Sequence, residues 1–454
     1  MKNLLCALSG LAAAAAFAHT PTLDDTTAVV RVVVNSVEHL EQLEALGAEP
    51  LACRVGLGEQ YFAADTAVAE SLAKAGAVIV ERDLKSVIDA SNEAVRGGGF
   101  FDNYQDWDAI NDQLDAYALN SRVEIVTIGD TIEGRTVRGI KISGDTPGLR
   151  PAVLVNGAQH AREWISPASC MYLAERLVSD YGSDPQITEI LDRVDFYIVP
   201  VTNADGYAYS FTPGNRFWRK NRRHNGGTSY GVDPNRNWAE GWGLSSGSSG
   251  STGSSTYRGP APFSEPCTAN LRDFIISVPE IRAHVDVHNF AQLVLGAWAY
   301  TNTPAPDGNT LLPLGDALSD AIQGVHGTNF DARTGEGGIG FASGAMPDWT
   351  FGELGVMAWT FELRDTGQFG FQLPASQLVP AAEECVAGVL RLADQIAHCP
   401  NDLNLDGDVD ATDLAIFLTR WDNARGLADT DVDGAVGAGD LAGMLAAWGS
   451  SCPL

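Results

Sequence analysis

A histidine and a glutamate three residues apart, His160 and Glu163, follow the apolar run AVLVNGAQ. On a helix that spacing sets an imidazole and a carboxylate one turn apart on the same face, where both can reach one metal ion. The pair alone is a weak signal, because short H-x-x-E matches arise by chance. A hydrolytic zinc site needs a third protein ligand and a fourth position left open to water. His288, at the end of the strand-like run HVDV, is the natural third ligand. His284 and Asp286 share its strand face by alternation. His284, further back in the strand, reads as structural. Such a site also needs a base for the water's proton. Glu362 sits at the far end of the apolar run GVMAWTFEL, where a carboxylate is costly unless it is paired or at work. A salt bridge to Arg364 is the plain alternative.

Positive charge is the second anomaly. Lys and Arg total 29 against 58 Asp and Glu, a formal net charge of −29, yet Arg216, Arg219, Lys220, Arg222 and Arg223 crowd one segment and Asn235-Arg236 follows. Guanidinium groups suit bidentate capture of carboxylates, so a substrate with a free carboxylate end would match them. Surface charge balance is the simpler account of Lys220, Arg222 and Arg223. The overall charge argues against nucleic acid and against anionic membranes as partners, since both would be repelled.

A third chemistry lies at the C-terminus. DLNLDGDVDATDLAIFLTRW and DTDVDGAVGAGDLAGMLAAW share one pattern, D-x-[ND]-x-D-G-x-V-x-x-x-D-L-A-x-x-L-x-x-W. Calcium takes six to eight oxygens around a tight turn. Asp402, Asn404 and Asp406 offer side-chain oxygens, Gly407 allows the turn, Asp408 offers its carbonyl and Asp413 closes the loop. Asp429, Asp431, Asp433 and Asp440 do the same in the second copy, around Gly434. Without a divalent cation so many carboxylates in so short a span would repel one another.

The elements that must position these groups divide the 454 residues into four parts. Residues 1–18 read as a secretory signal, with Lys2, a short apolar run and Ala16-Phe17-Ala18 as the cleavage site. The run is too short to span a membrane, and export places the protein outside the cell, either free or held at the cell surface through its C-terminal unit. Residues 19–96 contain AVVRVVVN and AVIVERDL as strands, and VEHLEQLEALG and DTAVAESLAKAG as helices, with Asp65 as a helix N-cap. This is a small α+β unit that ends at the flexible basic stretch Arg96-Gly97-Gly98-Gly99, open to proteases. Residues 101–398 alternate Val- and Ile-rich runs with helical stretches, the mark of an α/β domain with a buried sheet. The Ser/Gly-rich stretch 243–255 is a surface loop inside it. Residues 400–454 hold the repeat. Cys399 and Cys452 bracket that last unit and are the best candidates for a disulfide.

The motifs NGAQHAREWISP, NRFWRKNRR, GVDPNRNW, DVHNFAQL and TFELRDTGQFGFQLPASQLVPAAEE, in this order, resemble the zinc metallocarboxypeptidases of the pancreatic carboxypeptidase A/B family. The resemblance runs from about residue 103 to 398. It implies an α/β/α sandwich around a mixed eight-stranded sheet. It also implies His160, Glu163 and His288 as zinc ligands, Glu362 as general base and acid, and Arg219 as the group that stabilises the oxyanion. Asn235 and Arg236 match the clamp on the terminal carboxylate, Arg162 a further substrate-binding arginine, and Asp233 the carboxylate that orients His160. Residues 19–96 resemble the family's inhibitory propeptide, which implies a zymogen cut near Arg96. The C-terminal repeat resembles a type I dockerin, which implies two calcium ions and a cohesin-like partner.

The chain departs from the family where a mobile tyrosine is expected eight residues before Asp348. Gly340 stands there, with Phe341 beside it, and Phe290 replaces a second family tyrosine. Pro347 occupies the position where enzymes that prefer C-terminal Lys or Arg carry Asp, which favours an apolar or broad preference, with Met346 as a possible lining residue. Two other readings of the same residues stand beside the exopeptidase: a zinc amidase acting on peptidoglycan or γ-glutamyl peptides, and a scaffold protein weakened in catalysis.

Overall fold

The computed structural model describes residues 27–51, 58–83, 86, 98–244, 247–305, 308–335, 340–403, 407–422, 426 and 428–452. The expected signal, Arg96, Cys53, Asn404 and Asp406 lie outside the described residues.

The first unit is a four-stranded antiparallel sheet. β1 (Thr27–Val34) runs between β3 (Gly58–Asp65) and β4 (Val78–Glu81), and β2 (Glu49–Pro50) pairs with the outer edge of β3. Helices Val37–Ala45 and Thr66–Lys74 complete it, begun by the side chains of Ser36 and Asp65, which accept the free backbone N–H groups of the first turns. Val30, Leu43, Phe62 and Leu72 form its own small core.

The main domain is built on eight strands: β5 (Val123–Asp130), β6 (Thr136–Ile142), β7 (Ala152–Asn156), β8 (Asp195–Val199), and then, past the short hairpin β9 (His224–Gly226) and β10 (Ser229–Tyr230), β11 (Ile281–Asn289), β12 (Leu293–Gly296), β13 (Asp331–Arg333) and β14 (Met357–Leu363). Their order across the sheet is β13-β12-β14-β11-β7-β8-β6-β5. The four central strands β14, β11, β7 and β8 are parallel, and β12 and β6 turn the two sides antiparallel. This is the mixed eight-stranded sheet that the resemblance implies. Every residue of the central four is buried. Covered on both faces, such strands need no apolar–polar alternation, which is why they read as continuous Val, Ile and Phe runs. Helices Ile165–Asp180 and Gly308–His326 each pack on Leu378–His398 and on the sheet, and Met346–Leu354 packs on β11 and β14.

The third unit has two nine-residue helices, Ala411–Thr419 and Ala438–Ala446, and the Cys399–Cys452 disulfide closes it. Its apolar residues Leu403, Val409, Phe417, Ala428, Val436 and Met444 join the core of the main domain rather than forming a separate one. Arg282, buried on β11, donates from Nη1 to the Asp429 carbonyl.

Candidate metal centre

In an open parallel sheet the C-terminal ends of the strands border a crevice, and three of these ends converge here. The chain leaves β7 through a turn that carries His160, Arg162 and Glu163, then enters the helix at Ile165. The H-x-x-E pair is therefore not on a helix, as its spacing suggests. Glu163 N–H bonds the His160 carbonyl at 3.2 Å in a turn, and Ala158 just before it takes a positive φ of 49°. The tight turn brings the two side chains together without any help from helical periodicity. His288 comes from the end of β11.

His160 Nδ1 lies 2.8 Å from Glu163 Oε1, and His288 Nδ1 lies 2.8 Å from Glu163 Oε2. Ligand atoms of His160, Glu163 and His288 all fall within 4.8 Å of one another, and all three residues are buried. Burial alone would raise the Glu163 pKa, but the two imidazoles hold it well below the usual carboxylate range. Burial and the nearby Arg219 lower that of His160, which favours the neutral ring a metal requires. Two imidazole nitrogens and a carboxylate are a zinc-type donor set. The far nitrogen of each ring also meets a carboxylate: His160 Nε2 is 3.1 Å from Asp233 Oδ1, and His288 Nε2 is 2.8 Å from Asp286 Oδ2. The residues present therefore fit a zinc ion.

Glu362 is buried on β14, and the parallel register pairs it with His288 on β11. Paired positions on neighbouring strands turn their side chains to the same face, so Glu362 stands beside the histidine. The salt bridge to Arg364 is not formed, because Arg364 pairs with the buried Glu384 instead. His284 is bonded to Thr350 Oγ1 at 3.0 Å and to Asn156 Oδ1 at 2.6 Å, away from the three ligands. Burial pushes its pKa down to about 4.

Arg219 donates from Nε and Nη2 to Asp233 Oδ2, so one carboxylate holds both this guanidinium and His160. Burial would raise Asp233, and Arg219, His160 and Arg236 together keep it well below the usual range. Asn235 follows Asp233 in a short 3-10 turn. Its Oδ1 accepts the Met346 N–H at 2.8 Å, and its Nδ2 lies 3.1 Å from His288 Nε2. Arg236 is almost wholly buried, with Nη1 on the Asn235 carbonyl and Nε on the Gly247 carbonyl. Lys220 is not surface charge balance. It is buried, and its Nζ donates to the Ser254 and Thr252 carbonyls at 3.0 and 3.3 Å, fastening the Ser/Gly-rich loop. Arg222 stacks over Tyr209 at 3.6 Å, and Arg223 pairs with Glu265. In so acidic a chain these cations are spent on internal joints.

Glu49 of β2 reaches into this crevice, with Oε1 3.2 Å from Arg162 Nη1, while the Pro50 carbonyl accepts from Arg162 Nη2 at 3.0 Å. Leu51 packs with Phe217, Phe290 and Phe371. Burial raises the Glu49 pKa despite the guanidinium beside it, so desolvation outweighs the ion pair and apolar packing carries the contact. The sequence gives no sign of Glu49's place, because a distant segment brings it there.

At the other end of the molecule, Asp429, Asp431 and Asp433 offer oxygens within 4.8 Å of one another. Asp429 is buried, and its Oδ1 has no hydrogen-bond partner among the described residues. Asp440 accepts from the N–H groups of Thr430, Asp431 and Gly437, and Asp413 from those of Leu403 and Asp410, so both carboxylates cap helices. Asp402 accepts from Gly407 N–H, and Asp408 from Ser451.

Residues 110–388 match the family model described as zinc carboxypeptidase. Carboxypeptidase A1 of Rattus norvegicus is 41% identical over 280 residues, a stretch that spans 61% of this chain and 66% of the rat protein, just under two thirds of its length. Carboxypeptidase B of Homo sapiens is 35% identical over 343 residues, covering 74% of this chain and 82% of the human protein. Among solved structures, thrombin activatable fibrinolysis inhibitor superimposes with a TM-score of 0.76 at 25% identity, over 82% of this chain and 100% of that one.

Proposed function

We propose, from the premise that this chain belongs to the zinc carboxypeptidase family, how this metallocarboxypeptidase works: it removes the last residue of peptides, is held latent by its N-terminal unit, and carries a calcium-loaded C-terminal module. The observation that carries the reading is the meeting of His160, Glu163 and His288 within 4.8 Å, beside Glu362.

His160, Glu163 and His288 would hold the zinc ion. When bound, zinc polarises a carbonyl oxygen and makes water acidic enough to attack near neutral pH. Glu362 takes the water's proton on its carboxylate as the oxygen attacks the last peptide carbonyl, then passes it to the departing amine. Arg219, fixed by Asp233, meets the negative charge that grows on the carbonyl oxygen. Arg236, Asn235 and Arg162 hold the terminal carboxylate, which restricts cleavage to chain ends. Among the described residues, Asp348 is buried and accepts from the Ala299 N–H, and Ala299, Ala342 and Ala345 form a small apolar cluster. This supports an apolar or broad C-terminal preference over a basic one.

Glu49 and Pro50 on Arg162 support latency, because they occupy a residue assigned to substrate. Cleavage near Arg96 would release them. The apolar side chains Leu418 and Trp421, exposed at the same repeat positions as Leu445 and Trp448, support a cohesin-like partner for the module. The leader-like start supports export.

The test is release of the C-terminal residue from blocked dipeptides by trypsin-treated protein. Release should stop with a zinc chelator, return with zinc and favour apolar over basic ends. Release that ignores the chelator would end the proposal. Cleavage of muropeptides but not of simple peptides would turn it toward an amidase.

A further inference from the structure

Asp286 is fully buried, and among the described residues neither arginine nor lysine forms an ion pair with it. A carboxylate so placed is costly unless donors surround it. Its two oxygens have different neighbours. Oδ1 accepts from Asn156 Nδ2 at 2.7 Å, and Asn156 is its register partner on β7. Oδ2 accepts from Gln159 Nε2 at 2.6 Å, lies 2.8 Å from His288 Nε2, and has Asn235 Nδ2 at 3.4 Å.

We propose that Asp286 is a positioning residue for His288, the counterpart of Asp233 for His160, and that it ties the affinity of the centre for zinc to the placement of Asn235. The inference rests on the metal centre proposed above.

The argument starts at the ring. Nδ1 of His288 faces Glu163, toward the point where the three ligands meet. For that nitrogen to offer a lone pair, the ring's hydrogen must sit on Nε2, and Oδ2 of Asp286 is there to accept it. The same bond fixes the rotation of the ring and makes its other nitrogen a stronger donor to a metal. Alternation places the two groups: residues 286 and 288 of one strand share a face, and Asn156 on the neighbouring strand holds the other oxygen. Because the Asn235 oxygen is engaged by Met346 N–H, its amide nitrogen faces Oδ2 and the ring. One acceptor atom thus serves a metal ligand and a residue assigned to the substrate's carboxylate.

The test uses the full chain, freed of zinc and titrated against a chromogenic chelator. Asp286→Asn should bind zinc about 10- to 100-fold more weakly than wild type. The visible absorption bands of its cobalt(II)-substituted form should shift, while the zinc-free protein melts close to wild type. If that variant does not fold, Asn156→Ser decides the matter: it loosens Oδ1 and leaves Oδ2 in place, so a several-fold loss of zinc affinity is expected. An unchanged zinc affinity and cobalt spectrum, in whichever variant folds, would overturn the inference, even if that variant melted earlier. Failure of the wild-type protein to take up zinc would overturn the metal centre as well. Normal uptake by both proteins would remove only the role of Asp286.

Discussion

The His160–Glu163–His288 cluster and the Asp429–Asp433 loop both gather donor groups around one point, but the fold supports them differently. In the first, each histidine has a carboxylate at its far nitrogen, and the carboxylate Asp233 has a guanidinium from Arg219. The supporting groups come from strands and turns locked into a large core, with a guanidinium on Asp233 and amide donors on Asp286. In the second, Asp429 keeps a buried oxygen without a hydrogen-bond partner among the described residues, and Asp431 and Asp433 are exposed. Burial and the neighbouring carboxylates raise the pKa of Asp429 and of Asp431, although Arg282 offsets part of the effect on Asp429. The first site is built before its metal arrives. The second leaves its carboxylates to repel one another.

The sharpest way to break this comparison is at Glu362. Glu362→Gln should lower turnover by roughly 10²–10⁴-fold, the range for a lost acid–base group, while bound zinc stays at the wild-type level by metal analysis. A loss of zinc in the variant would mean that the ligands lean on Glu362, and that the centre is less self-sufficient than described.

Chelation tests the other half. Removing zinc should leave the far-ultraviolet circular dichroism nearly unchanged. Removing calcium should loosen helices Ala411–Thr419 and Ala438–Ala446 and lower the melting temperature, with about 4 kcal/mol at stake for an ion at a thousand times its dissociation constant. Equal responses to the two chelations would erase the distinction.

The two regions should also answer pH with opposite sign. His284 titrates near 4 in the fold and near 6.5 when unfolded. Between those values the unfolded chain binds more protons, so stability falls as pH drops from 6.5 toward 4, by up to about 3 kcal/mol. Unfolding midpoints of His284→Gln should lose that part of the slope. For Asp429 and Asp431 the folded state binds more protons, so the calcium-free module should lose stability as pH rises from about 3.8 through their raised values. A calcium-free module that grew more stable over that range would contradict the picture of unrelieved repulsion.

The smallest effect is expected where the N-terminal unit covers the centre. Glu49→Gln removes a charged partner of Arg162 but keeps the Pro50 bond and the packing of Leu51. Because desolvation of Glu49 outweighs its ion pair, release of the unit should change by only about 1 kcal/mol or less, read as a nearly unchanged rate of activation by limited trypsin. A larger change would mean that charge, not apolar contact, holds the unit down.

The sheet was legible because its central strands are buried on both faces and so had to be written in Val, Ile, Phe and Ala. The candidate metal ligands His160, Glu163 and His288 were legible from the H-x-x-E spacing, the strand-like run that ends at His288 and the motifs around them. Their local geometry was not: the H-x-x-E spacing suggests a helix, and the chain makes a turn. Lys220 shows the same gap. As sequence it is one cation in a basic patch, and only the approach of the loop at Thr252 and Ser254 turns it into a buried joint. Asp413 and Asp440 fit the twelfth place of a calcium loop by spacing, and in the structure they cap the helices that follow.

By itself the sequence determined which groups are present: candidate donors for a transition metal, a candidate base, the cations and the repeated acidic loop. It also determined the strand and helix segments, since local pattern and side-chain cost act within a few residues. The tertiary structure decided which of these groups meet. Glu49 on Arg162, Asp286 on His288, Glu362 beside His288 and Arg282 at the Asp429 carbonyl join segments far apart in the chain. Such meetings depend on strand order and register, which the packing of the whole core sets and no short window of residues encodes.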